Sequence, residues 1–121
     1  LARQNEAIDL LRLYSRGDTA GWNELLNVHV RDQNINGLAR LRYSVQAGMD
    51  DLAKKKLATE PIQIWYCRLI KSIENSARAI LRRRHPMPHD NPLTRVTDPR
   101  AIEAKKKRDT EFSKFLIRSS Y

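Results

Sequence analysis

The sequence predicts an all-α fold, a compact bundle of about five helices with a Pro-rich loop ahead of a protruding C-terminal helix. Three observations carry this. Apolar residues recur at spacings of three and four along most of the chain, the period of an amphipathic helix. Strict apolar–polar alternation, the mark of a half-buried strand, is scarce, and Asn36-Gly37 is followed by a helical pattern instead of a second strand. Helix start and stop residues punctuate these stretches, at Gly17, Asp18, Pro61 and Asp98-Pro99.

The first expected helix runs from about Ala2 to Tyr14, with Ile8, Leu10, Leu11 and Tyr14 on its apolar face. Gly17 suits a left-handed C-cap after it. Asp18 then caps a second helix carrying Trp22, Leu25, Leu26 and His29, which ends near Asp32. The third carries Leu38, Leu41, Val45, Gly48 and Leu52, a narrow seam fit to pack on one other helix, within this chain or between copies. Glycine costs about 1 kcal/mol relative to alanine inside a helix, so Gly48 either lets another helix approach closely, the favoured reading, or marks a break before Asp50. Lys54, Lys55 and Lys56 end this helix, where cations complement its dipole.

Thr59-Glu60-Pro61 opens the fourth helix, since proline is tolerated in the first turn. Ile62, Trp65, Leu69, Ile73, Ala77 and Ile80 form the most regular stripe in the chain and are expected to be the spine of the core. Pro86, Pro88 and Pro92 exclude helix and make 85–98 a loop. Asp98 as N-cap and Pro99 as first residue start the last helix, over 99–119. Its large apolar residues are Ile102 and then Phe112, Phe115 and Leu116, with the polar run Lys105 to Asp109 between them. A helix polar all round in its middle is bridging, solvated or docked on something charged. It is therefore expected to protrude, or to dock on a partner through its apolar tip.

Residues 1–121 are expected to form a single domain. The chain is 40% hydrophobic and 31% charged, so it is more polar than an average globular domain. The one cysteine, Cys67, excludes a disulfide framework within the chain. It is expected as a small buried hydrophobe, in a reducing cytoplasmic or otherwise intracellular setting. No apolar run approaches the roughly 18 to 20 residues of a membrane span, and no signal peptide is visible.

The charge is the most informative feature. Of the net +9, residues 61–121 supply +8, with 14 Lys/Arg against 6 Asp/Glu, while residues 1–60 are nearly balanced. Such segregation carries a self-repulsion cost that a polyanion offsets, and each neutralised phosphate releases counterions. On the fourth helix Lys71, Arg78 and Arg82 share a face, with Arg68 at its edge and Asn75 between. Arg82, Arg83 and Arg84 close that helix, and Arg100 with Lys105, Lys106, Lys107 and Arg108 extends the surface if the last helix folds back. A charge run is ordinarily a solvated face, and cations near a helix end are worth only about 0.3 to 1 kcal/mol. Dipole compensation therefore accounts for Lys54 to Lys56 but not for two basic runs in succession.

Catalytic and metal signatures are missing. His85 and His89 are separated by Pro86-Met-Pro88, which removes the one-face helical geometry that zinc sites exploit at this spacing. Asp50 and Asp51 point about 100° apart on a helix. No glycine-rich phosphate loop or nucleophile elbow is present, and no cofactor is expected.

The sequence thus leads to a non-enzymatic nucleic-acid-binding accessory protein, for DNA or RNA, making mainly phosphate contacts with weak sequence preference. Its compact, basic form suits a viral or mobile-element protein. The rival is a structural subunit of a larger assembly or homo-oligomer, using Phe112, Phe115 and Leu116 and the seam of the third helix. Binding to an anionic membrane surface ranks third, because the stripe of the fourth helix is long and regular enough to be core.

Overall fold

In a computed structural model, residues 22–88 and 97–120 are described, and every regular element among them is a helix. Helix α1 spans Trp22–Arg31, α2 Ile35–Lys54, α3 Glu60–Arg84 and α4 Pro99–Arg118. The helix expected over 2–14, its Gly17 stop and the Asp18 cap lie outside the described residues, so a count of about five becomes four among those described. The Pro-rich segment is seen only at its start: α3 ends at Arg84 and residues 85–88 are not helical. None of the described helices is long and apolar enough to cross a membrane.

Helix α3 is the centre, packing against α1, α2 and α4. The expected spine is inside, with Leu69, Ile73, Ala77 and Ile80 fully buried, Trp65 nearly so and Ile62 at the core edge. Tyr66, Ile70 and Leu81 are buried as well. A helix with neighbours on three sides buries a wider arc than one stripe. Leu38, Leu41 and Val45 of α2 meet this arc from one side, and Trp22 and Leu26 of α1 from another. The indoles of Trp22 and Trp65 meet edge to face at 5.6 Å between ring centroids, a preferred aromatic geometry. The α2 seam is thus buried within this chain.

The last helix corrects the expectation of a protruding shaft. Helix α4 packs against both α3 and α2. Phe115 is 2% exposed and belongs to the main core, and Phe112 and Leu116 pack against it. In the first half of α4, Ala101 and Ala104 are buried. Phe112, Phe115 and Leu116 therefore do not form an exposed tip, because the core spends their apolar surface.

The helix ends follow local chemistry. The Asn34 side chain caps α2 by accepting from Gly37 N at 2.9 Å, and Asp98 caps α4 by accepting from Arg100 N at 2.9 Å. Pro61 and Pro99 occupy first-turn positions, as expected. Both α1 and α2 end in Schellman motifs. After α1, Gln33 N donates to Val30 O and Asn34 N to His29 O; after α2, Lys56 N donates to Ala53 O and Leu57 N to Leu52 O. The left-handed residues are Gln33 (φ 51°) and Lys56 (φ 58°), where glycine is normally found. A non-glycine left-handed residue costs about 1 to 2 kcal/mol. Lys56→Gly is thus expected to raise stability by about 1 kcal/mol, read as a higher urea midpoint with unchanged slope.

Two further expectations are corrected. A Cβ added at Gly48 would lie 3.6 Å from the Tyr66 hydroxyl, an ordinary contact, so the approach there does not demand glycine. Cys67 is exposed, since it faces away from the arc that α3 buries.

Candidate nucleic-acid interface

The contacts between helices α3 and α4 decide which cations remain free. The Arg78 guanidinium carbon sits 4.3 Å from the centroid of the Phe112 ring, and Arg78 also donates to Asn75 Oδ1 at 3.3 Å. Arg108 reaches the end of α3, donating through Nε to the His85 carbonyl at 2.7 Å and through Nη2 to that of Arg82 at 3.4 Å. The last carbonyls of a helix lack intrahelical donors, so Arg108 completes α3. It is a structural clamp, which corrects its expected place among freely presented cations.

The three arginines at the end of α3 do not act as one. Successive helical positions point about 100° apart. Arg82 continues the outer face of α3, and Arg83 turns to another side. Arg84 faces α4, where its Nη1 meets Glu111 Oε1 at 3.1 Å. His85 Nε2 closes on the other oxygen of the same carboxylate. Burial opposes ionisation of Glu111. Hydrogen bonds from His85 and Arg84, with the charges of both, outweigh it and hold the carboxyl below its ordinary value. A carboxyl depressed on folding contributes stability above its unfolded pKa, 4.5, and that contribution is lost as pH falls through the folded value. Glu111→Gln is expected to lower the urea midpoint at pH 7. The gap from the parent should shrink as pH falls from 4.5 through the depressed folded value, because a protonated Glu111 is neutral like the glutamine that replaces it.

The remaining basic residues sort by their neighbours. Arg100 pairs with Asp98 at 3.4 Å, and Lys107 lies 4.0 Å from Glu103, one turn away. Arg68, Lys71, Arg82, Arg83, Lys105 and Lys106 are exposed, and no carboxylate among the described residues pairs with them.

The outer face of α3 is the most uniform surface. Arg68, Lys71, Asn75, Arg78 and Arg82 follow one another at steps of three or four, over about 21 Å of helix at 1.5 Å per residue. Glu74 is the one acidic residue between Pro61 and Arg84, and it turns inward. Its Oε1 lies 3.7 Å from Arg42 Nη2, the two side chains being 22% and 16% exposed. Arg42 Nη1 donates in turn to Oγ of Ser119, a fully buried residue on the turn after α4, at 2.8 Å. This Arg42–Glu74–Ser119 node joins three helices and removes the only negative side chain from the α3 ridge.

The single continuous patch expected from the sequence is therefore divided. Arg68, Lys71, Arg78 and Arg82 share the outer ridge. Arg84, Arg100 and Lys107 lie around a shallow depression on another flank of α4, with His85, Pro86, Pro99 and Glu103. Lys114 and Arg118, not expected from the sequence, join Arg84 at a second and smaller cavity beside the first turn of α2. Among the described residues no three His, Cys, Asp or Glu side chains gather as a metal site. Comparison with protein-family models, with curated proteins and with solved structures finds no match.

Proposed function

We propose that this chain is a non-enzymatic nucleic-acid-binding module that lays the outer ridge of α3 along a phosphate backbone. The observation that carries it is the withdrawal of Glu74 into the Arg42 node, which leaves Arg68, Lys71 and Arg82 unopposed on one exposed face. Arg78 contributes its charge from above the Phe112 ring, and Asn75 adds donors and an acceptor. The ridge presents charge at helical intervals and no exposed aromatic on which a base would stack, so contact is mainly to phosphates, in DNA or RNA, with weak sequence preference.

The assembly reading is less favoured. Its two motivating features, the Phe112–Phe115–Leu116 tip and the α2 seam, are both packed within the chain. The test is affinity for a mixed-sequence oligonucleotide across a salt series. With about four phosphates neutralised, log K falls against log salt with a slope near −3 to −4, so affinity drops roughly 10²-fold between 50 and 200 mM. A flat salt response would overturn the proposal.

A further inference from the structure

The second basic cavity is distinct from the α3 ridge. It lies where the end of α3, the C-terminal half of α4 and the first turn of α2 meet, and it is lined by Arg84, Glu111, Lys114 and Arg118 over a floor of Ile35, Ala39 and Phe115. Three cations thus face one carboxylate. That carboxylate, Glu111, is already held by Arg84 and His85. Lys114 has no partner among the described residues, and Arg118 donates to a neutral acceptor, Asn36 Oδ1, at 2.6 Å. Lys114 and Arg118 are four residues apart on α4, a like-charge pair that is mildly destabilising by itself. Their place near the end of α4 offsets this by a few tenths of a kcal/mol. It does not remove the excess positive charge collected around a concave surface.

We propose that this cavity binds one phosphate-type oxyanion, held by Arg84, Lys114 and Arg118. Arginine offers planar paired donors to such an anion, while lysine acts as a point charge. The Asn36 amide stands at the rim as a further polar group. Size restricts the ligand: the cavity is about 140 Å³, well below the roughly 300 to 1,000 Å³ of sites that enclose a drug-sized molecule. It admits a phosphate group but does not enclose a nucleoside. The anion is either free phosphate or the terminal phosphate of a polynucleotide. Only the second source rests on the nucleic-acid reading.

The experiment is thermal unfolding in inorganic phosphate against chloride at equal ionic strength, with the chain as it stands and with Lys114→Gln, Arg118→Gln and, as a control, Lys71→Gln. Phosphate at tenfold above its Kd is expected to raise Tm by about 4 to 8 °C. The Lys114 and Arg118 variants should lose most of that rise, and the Lys71 variant should keep it. Both target side chains are exposed, so the variants fold. Equal Tm in phosphate and chloride, or an undiminished rise in both cavity variants, would overturn the site. In a second arm, an oligonucleotide is compared with and without a 5′-phosphate. Tighter binding of the phosphorylated form, lost in Lys114→Gln, assigns the chain end as ligand. Equal binding of the two, with the inorganic phosphate effect intact, assigns the free anion. A phosphate effect with no oligonucleotide binding keeps the cavity and removes the α3 ridge as an interface.

Discussion

Replacing Arg68, Lys71 and Arg82 together by glutamine is expected to reduce the salt slope of oligonucleotide binding by about 3, since each cation that meets a phosphate contributes about one to it. Affinity at low salt should fall by roughly two orders of magnitude, and the loss should be similar across sequences, because phosphate contacts carry no base information. Stability should hardly change, because exposed positions away from caps and networks shift it by about 0.5 kcal/mol or less. Arg84→Gln serves as the contrast. It removes a cation from the same arginine run, but one that faces Glu111. Its main effect should be on stability, with little change in the salt slope for an oligonucleotide that carries no terminal phosphate. Equal losses from the two sets would mean that the outer face of α3 is not the contact surface.

Phe115→Ala is expected to cost about 3 to 5 kcal/mol, the range for deleting a buried aromatic side chain. Phe115 is 2% exposed, and its ring stacks on Phe112 at 5.6 Å between centroids, with Arg78 over the Phe112 face. Its loss opens a cavity where α4 meets the core and unseats a pair that also positions a ridge cation. Phe115→Asp should be worse, since it buries an unpaired carboxylate. The measurement is the urea midpoint at two protein concentrations. An intramolecular role gives the same destabilisation at both. A loss that recovers on concentrating the protein would instead identify Phe115 as a contact between copies.

Much of the helical scaffold was legible. The Leu69–Ile73–Ala77–Ile80 stripe is strongly periodic, and Pro61 and Pro99 mark helix starts through local sterics and Asp98 through its side-chain cap, which tertiary packing does not alter. The burial along the first half of α4 was not legible, because the residues buried there are Ala101 and Ala104, and small residues leave no mark in an apolar pattern. The polar run after them looked solvated, although Arg108 spends its guanidinium on carbonyls of another helix. The helix ends near Asp32 and at Lys54 to Lys56 were legible, but the left-handed caps that follow, Gln33 and Lys56, were not, because such caps are recognised by glycine. Cys67 was judged by its neighbours in sequence when its angle about the helix axis decides its exposure.

The candidate site was legible in its residues but not in its partition. Lys71, Arg78 and Arg82 share a face by spacing alone. Adjacent arginines on a helix diverge, so the run that looked like one cluster serves separate surfaces. Which cations are neutralised depends on long-range pairs such as Arg84–Glu111, and these are set by how α4 crosses α3. Lys114 and Arg118 were passed over beside the aromatic residues of the same turn.

The Arg42–Glu74–Ser119 node ties the sign of the exterior to the assembly of the interior. The unfolded chain has the same formal charge, but there Glu74 is as available to water as Lys71 or Arg78. Only when α2 closes on α3 is that anion drawn inside, so folding itself develops the electrostatic polarity of the molecule.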